Sequence, residues 1–320
     1  MFLQEDSNKL LYKQFCEENP EIPLFSQYWW MEAVCVGRKW DVLFVRDAND
    51  RIIASMPFLM GKKLGLRYII QPLLAQTNGL WIKYPEGQTE NERLSYEKKI
   101  CNDIISQLDR LKLFFFLQHF HSSFTNWLPF YWKGFLQTTR YTYRIPDVSD
   151  LDKVFSGFSD AKQRQVRKAE KWLEVSFDLS PEEFYKYKTL SLPKGEKNDC
   201  PKELFLSCYN AAILKNGGFI IAIKDQSGYF HAGAFIVWDK YSAYYLIPFV
   251  NPAFRSSGAS SLIIWESLKY FSDKTKSFDF EGSMMENIEN AYRSFGAIQT
   301  PYFRISRSAS IWINWIFGVK

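Results

Sequence analysis

Arg255-Ser256-Ser257-Gly258-Ala259-Ser260-Ser261 is the stretch on which the reading of this 320-residue chain turns. It lies between an aromatic strand pattern and an apolar helix pattern. From Ser242 to Phe249, Ala243, Tyr245 and Ile247 alternate with Tyr244 and Leu246, the period-two signal of a strand. Pro248 and Pro252 are expected to end that ladder, because proline offers no backbone donor. From Leu262 onward, Ile264, Leu268 and Phe271 recur at helical spacing. A loop of small residues feeding a helix start leaves backbone N–H groups unpaired beside the positive end of the helix dipole. Such a place takes phosphate or diphosphate readily, and Arg255 adds a guanidinium fork for the same anion. A turn that merely opens a helix has the same composition, so the elements around it must decide.

Length allows two domains, each able to bury a core. Apolar residues make 47% and charged residues 23%, which marks a globular chain, and the 18% aromatic content suits large stacked cores. Forty basic against 35 acidic side chains give a net charge of +5. That is too mild for a DNA-binding protein but compatible with an anionic ligand. Cys16, Cys35, Cys101, Cys200 and Cys208 form no C-x-x-C pair and are expected as reduced thiols. His119 and His121 lie in an apolar-aromatic run without neighbouring carboxylates or thiolates, so no metal site is expected. No signal-peptide pattern and no run of about 20 apolar residues is present, which places the expected location in the cytoplasm.

In the first half, Asn8–Asn19 has an apolar helical stripe, and Ser26 is expected to cap a second helix that carries Trp29, Trp30 and Val34. Asp41–Arg46 and Arg51–Leu59 read as a hairpin over Asp47–Asp50. Gly61–Leu80 reads as a connection, Glu90–Leu111 as a helix, and Lys112–Phe120 and Phe135–Ile145 as strands. His119 and His121 share a strand face, and hydrogen bonding within the polar loop Ser122–Asn126 is their simplest role.

In the second half, Leu151–Phe158 is a short helix and Ser159 caps a basic one, Ala161–Leu173. Arg164, Arg167 or Lys168, and Lys171 fall at spacings of three and four, a stripe that either contacts an anion or is solvated beside Asp160, Glu170 and Glu174. Glu174–Asp178 is a strand, Ser180-Pro-Glu-Glu183 opens a helix, and Pro201–Asn216 is another. Phe219–Lys224 and Tyr229–Trp238 form a hairpin over Asp225–Gly228. After the loop come a strand at Ser277–Phe280, a turn at Glu281–Ser283, a helix at Met284–Ser294 and a strand at Tyr302–Ser306.

Arg-x-x-Gly-x-Ser between a strand and a helix is similar to the pyrophosphate loop of the GNAT acyltransferases, Gln/Arg-x-x-Gly-x-Gly/Ala. Gln163–Lys171 resembles the Arg-x-x-(Ile/Val)-Arg-Lys-Ala-Glu-Lys segment that opens the second acyltransferase domain of FemABX-like proteins. The element order and the Tyr-x-x-x-Gly helix end at Tyr292–Gly296 agree with the same group. The chain therefore resembles a tandem-GNAT protein. The resemblance implies an α/β chain of mixed α+β kind, with two GNAT-like domains in tandem, each a mixed, mostly antiparallel sheet flanked by helices. A degenerate copy is expected at residues 1–146. The copy with the anion loop is expected at 147–320, its tail either staying there or returning to the first domain.

The resemblance implies transfer of an acyl group from acyl-CoA, acetyl-CoA first, to the amine of an amino sugar, amino acid or cell-envelope precursor. Arg255, Ser256, Ser257, Gly258, Ala259 and Ser260 would hold the donor's diphosphate. Acyl transfer also needs a base for the amine and a donor for the carbonyl oxygen. Glu281, at a strand end beside the loop, is the first candidate base and His231 the second, while backbone N–H groups near Pro248–Val250 would polarise the carbonyl. Tyr292 stands where GNAT enzymes place the acid that protonates the leaving thiolate. Each has a plainer role: Glu281 as a helix cap, Tyr292 in the core, His231 facing solvent. Members using aminoacyl-tRNA carry Phe-Lys-x-Gly-Phe at this helix end, and Tyr292 stands in the lysine column, which favours acyl-CoA. Two alternatives stand beside that reading: an aminoacyl-tRNA-dependent peptidoglycan-bridge enzyme of FemABX type using charged tRNA, and a non-catalytic binding protein on the same fold. The tail, Ser310-Ile-Trp-Ile-Asn-Trp-Ile-Phe317, either packs as a final element or touches a membrane surface.

Overall fold

The computed structural model describes residues 2–309 apart from Lys194, Lys197 and Ser283; the tail from Ser310 to Phe317 lies outside the described residues. The chain divides into two compact units, Met1–Arg140 with Pro301–Lys320, and Tyr141–Thr300.

The chain opens with α1 (Phe2–Glu18), a 3-10 turn at Leu24–Ser26 and α2 (Tyr28–Val34). Ser26 is not the cap of α2. Pro23 opens the 3-10 turn, the Ser26 amide is used on the Pro23 carbonyl at 2.8 Å, and Gln27 takes the N-cap without a side-chain bond. β1 (Lys39–Arg46) and β2 (Ile52–Lys63) form the expected hairpin, held at its turn by Asp47 Oδ1, which accepts from the amides of Asn49 and Arg51 at 2.9 Å each. Part of the expected connection folds as β3 (Leu66–Ile70), paired with β2 through the turn at Gly65. β4 (Trp81–Ile82) follows, then α3 (Glu90–Arg110), started by a capping box between Thr89 and Glu92. β5 (Phe115–Phe120), α4 (Leu128–Tyr131) and β6 (Leu136–Ile145) complete this stretch.

The second unit holds α5 (Leu151–Ser156), α6 (Asp160–Ala169), β7 (Leu173–Ser176), α7 (Pro181–Leu190), α8 (Lys202–Leu214), β8 (Gly218–Asp225), β9 (Phe230–Trp238), β10 (Ser242–Val250), α9 (Ala259–Phe271), β11 (Ser277–Asp279) and α10 (Glu286–Arg293). β12 (Ile298–Ser308) carries the chain back into the first unit. Asp150, Ser159 and Ser180 cap α5, α6 and α7, each accepting a backbone N–H with its side chain.

Strand order in the first unit is β1-β2-β3-β5-β12, with β4 on β2, and in the second β6-β11-β10-β9-β8-β7. Each sheet is antiparallel except for one parallel pair, β3 with β5 and β10 with β11. The first unit's core gathers Ile100, Ile104 and Leu108 of α3 over Met56, Phe58, Phe116, Phe120 and Ile305. In the second, Leu262, Ile263, Leu268 and Phe271 of α9 pack with Val166, Ile223, Ala234, Phe278 and Phe280. No helix among the described residues is long and apolar enough to cross a membrane.

Pro248 does not end β10: it pairs opposite Ala234 and the strand runs on to Val250. Proline is tolerated there because β11 pairs only with Ser242–Tyr244, leaving the rest of β10 with one neighbour, an edge-like position that asks for fewer donors.

Candidate active site

The loop before α9 is built by local bonds. Asn251 Oδ1 accepts from the Ala253 amide at 3.1 Å, opening a 3-10 turn over Pro252–Phe254, and the Ser257 amide closes it on the Phe254 carbonyl at 3.0 Å. Gly258 then takes the N-cap at φ +85°, in the left-handed region. A Cβ there would also meet the Gln165 carbonyl oxygen at 3.0 Å and the Ala169 Cβ at 3.2 Å, so glycine lets α6 approach the loop. The helix accordingly begins at Ala259, three residues before its apolar spacing begins. The Ala259 amide donates to Ser257 Oγ at 3.2 Å. The amides of Ser256, Gly258 and Ser260 meet no acceptor among the described residues, and Arg255 and Ser256 are exposed. This is an open cluster of donors at the positive end of a thirteen-residue helix.

α6 braces the loop from one side. Ser261, fully buried, donates to Gln165 Oε1 at 2.7 Å and faces Lys162 Nζ at 3.4 Å, while that ammonium also lies 4.8 Å from the centre of the Phe295 ring. Burial lowers the Lys162 pKa. The basic stripe expected on this helix divides. Arg164, Arg167, Lys168 and Lys171 are all exposed, but Arg167 is tied to its own unit, lying over Phe155 at 5.3 Å and donating to Gln163 Oε1 at 3.2 Å.

His231 braces the loop from the other side. It is fully buried, not solvent-facing, and stacks on Phe254 at 3.8 Å and 5°. Its Nε2 lies 3.1 Å from Asp225 Oδ2 and Trp172 packs on its edge. Such a histidine fixes the turn that presents Arg255.

Glu281 follows β11 in a strained turn. It has φ +64° without being glycine, and the next residue, Gly282, has φ +53° with no room for a Cβ, 2.3 Å from the Tyr141 carbonyl oxygen. Residues left-handed without being glycine carry a conformational cost, and they cluster at working sites. The Glu281 amide donates to Asp279 Oδ1 at 2.8 Å, but its own Oε1 is enclosed with no hydrogen-bond partner. Asp279, fully buried, also takes the Thr142 hydroxyl and the Arg144 Nε, the latter at 2.6 Å. Burial, then the like charge of Asp279, push the Glu281 pKa well above the usual carboxylate range, with Arg144 opposing. Glu281 is thus held toward its protonated form, beside an Asp279 that is salt-bridged to Arg144. Tyr292 packs against Phe280 at 4.8 Å and Tyr143 at 6.3 Å, and burial followed by the Glu281 charge push its pKa up to about 12.

Sequence reading did not single out Thr142, Arg144 or Asp279. The signal was present in β6, where Arg140, Thr142 and Arg144 alternate with Tyr141, Tyr143 and Ile145, a polar face on a strand whose other face is core. No group of three or more His, Cys, Asp or Glu side chains among the described residues is placed to hold a metal ion.

No protein-family model matches the chain, and no curated protein matches it by sequence. Solved structures do. FemX superposes with a TM-score of 0.68 at 13% identity, over 92% of this chain and 95% of that one. L-PGS from Bacillus licheniformis gives 0.53 at 10% identity over 90% and 95%. A tandem GNAT protein from the clavulanic acid biosynthesis pathway gives 0.52 at 8% identity over 85% and 83%. The strand order, with one parallel pair in each unit, and the likeness to these structures along nearly the whole chain lead to one conclusion: the fold is the tandem-GNAT fold, similar to that of FemX.

Proposed function

We propose that the chain transfers an acyl group from a CoA thioester to an amine. The observation that carries this reading is the open set of amides at Ser256, Gly258 and Ser260, set at the start of α9 beside a strand that outruns its parallel neighbour from Tyr245 onward. A diphosphate suits the amides and the Arg255 fork. The unpaired side of β10 offers backbone donors to a carbonyl, Pro248 excepted. The tandem GNAT protein is named for its state without AcCoA, which supports the same donor.

In this reading the amine nitrogen attacks the thioester carbonyl, the C–N bond forms, and the oxyanion accepts hydrogen bonds from β10. Glu281, once ionised, takes the proton from nitrogen. The C–S bond then breaks and the thiolate leaves with a proton from Tyr292, whose hydroxyl stays protonated at neutral pH. Glu281 returns its proton to Tyr292 or to solvent. His231 serves as a positioning residue for the loop.

A second reading, donation from charged tRNA, is favoured by Arg164, Lys168 and Lys171, which are exposed and form no ion pair among the described residues. Calorimetry separates the two. Acetyl-CoA is expected to bind the wild type, and Arg255→Ala to weaken it about ten- to a hundredfold, the usual worth of hydrogen bonds to a charged group. Equal binding by wild type and variant overturns the loop assignment. Tight, strongly salt-dependent binding of charged tRNA with none of acetyl-CoA moves the function to the second reading. Binding of neither leaves a non-catalytic protein.

A further inference from the structure

We propose that Asp279 is a positioning residue that regulates the base of this site. Anchored by Arg144, it fixes the turn that carries Glu281 and keeps a proton there, so that Glu281 works as a base only as pH rises. The inference rests on the acyl-transfer reading, in which Glu281 has to be ionised before it can take a proton from an amine.

Strand register builds the arrangement. In the antiparallel pair of β6 and β11, Asp279 stands directly opposite Arg144, and in the parallel pair of β10 and β11 it stands opposite Tyr244. Residues paired across strands leave a sheet on the same side, and Thr142, two residues before Arg144, shares that face. Three strands thus line up Thr142, Arg144, Asp279 and Tyr244, and Thr142, Asp279 and Tyr244 are all buried. The Asp279 carboxylate joins them. Its Oδ2 accepts from Arg144 Nε at 2.6 Å, while Oδ1 accepts from the Thr142 hydroxyl and, at 2.8 Å, from the Glu281 amide. That last bond reaches two residues along the chain and closes the turn in which Glu281 and Gly282 are both left-handed. From the other side β6 closes it too, since Tyr141 and Thr142 leave no room for a Cβ on Gly282. Glu281 cannot leave the neighbourhood of Asp279 without breaking this turn.

After burial, two charges bear on the Glu281 carboxyl. Asp279, on its own strand, disfavours ionisation, and Arg144, on β6, favours it while its Nε is bound to Asp279. The tyrosines beside the group are Tyr244 of β10 and Tyr292 of α10. Burial first, and then neighbouring charges that include Glu281 and Asp279, push both of their pKa values up, so both hydroxyls keep their protons. No group supplies a bond to replace the lost hydration of Glu281 Oε1, which is enclosed without a hydrogen-bond partner. A neutral carboxylic acid tolerates that enclosure better than a carboxylate does. The base is therefore gated: turnover climbs with pH as Glu281 ionises, and the charge of Asp279 sets where the climb begins.

The test is a pH titration of the whole chain by carbon-13 NMR with labelled glutamate, the Glu281 carboxyl resonance being the one that Glu281→Gln removes. In wild type the Glu281 midpoint is expected above the ordinary carboxylate range, and a midpoint within that range overturns the proposal. Asp279→Asn keeps an oxygen for the Glu281 amide but loses the like charge and releases Arg144, so the midpoint is expected to move down toward the ordinary range. Thr142→Val removes a hydrogen bond to Asp279 without changing a charge, and its midpoint should stay near wild type. Near-ultraviolet circular dichroism of both variants should match wild type, so that a moved midpoint is not lost folding. A fold-intact Asp279→Asn whose midpoint stays at the wild-type value, or rises, overturns the proposal. So does a Thr142→Val that lowers the midpoint as far as Asp279→Asn does, because packing and not charge would then set it. These titrations use neither donor nor acceptor, so a wild type that binds no acetyl-CoA overturns the acyl-transfer reading without moving the midpoints.

Discussion

Glu281 concentrates several costs in one side chain: a left-handed backbone without glycine, an enclosed and unpartnered Oε1, and a buried carboxylate at its elbow. The sign of its pH effect follows from burial. Its folded pKa is raised, so between the ordinary value and the raised one the native state holds a proton that the unfolded chain has lost. Stability from this group is then greatest below the ordinary carboxylate pKa and falls as pH rises toward the folded value. Glu281→Gln, which cannot ionise, is expected to melt higher than wild type at pH 8, with the gap closing near pH 4 in a thermal scan. The same variant should lose about 10²- to 10⁴-fold in turnover, the usual worth of a general base. A Gln variant that melts lower at pH 8 and turns over at the wild-type rate removes the proton-carrying role. His231 shows where residue chemistry outran placement. From sequence a lone histidine on a hairpin is an attractive base, but only three-dimensional packing reveals that Phe254 lies flat on its ring at 3.8 Å.

Between elements, the decisive contact is α6 against α9, where glycine at 258 lets the helices close and Gln165 and Lys162 meet the buried Ser261. Loosening the start of α6 should therefore reach the loop. Ser159→Ala removes the side chain that accepts from the Lys162 amide and is expected to cost about 1 kcal/mol, a typical N-cap loss. Denaturant melts would measure it, and acetyl-CoA affinity should fall with it; unchanged stability and affinity would detach α6 from the loop. Periodicity and caps made most elements legible, since Thr89, Ser159 and Ser180 announce helices and the Asp47 and Asp225 turns announce hairpins. β3 was hidden because Arg67 and exposed Leu66 break the strand pattern, and the Ser26 cap was lost to a turn set by Pro23. The extent of β10 escaped too. Proline argues against a ladder only where both sides need donors, and which side lacks a partner is a fact of sheet order, not of local sequence. The Asp279–Arg144 pair escaped for a related reason: its members are 135 residues apart, and charge in a strand reads as surface until the neighbour strand is known.

On the scale of the whole molecule, the first unit is discontinuous: it takes its last strand from the chain's far end. β12 pairs with β5 from Phe303 to Ser308 and sends Ile305, fully buried, into the core under α3. Ile305→Ala should remove about 2–5 kcal/mol by the cavity it leaves. Hydrogen exchange is the suitable readout: faster exchange is expected in Met1–Arg140, with amides of Tyr141–Thr300 keeping their protection. Equal loss in both would mean that the two unfold as one. The order of strands also sets a schedule at the ribosome. Translation normally lets the leading portion of a protein settle before the rest emerges. Here the portion made first must wait, with the flank of β5 uncovered, until β12 supplies Ile305, whereas Tyr141–Thr300 has every strand of its sheet before that. A chain so wired is completed in reverse of the order in which it is made, and its nascent leading half is the stretch for which chaperones would be needed longest.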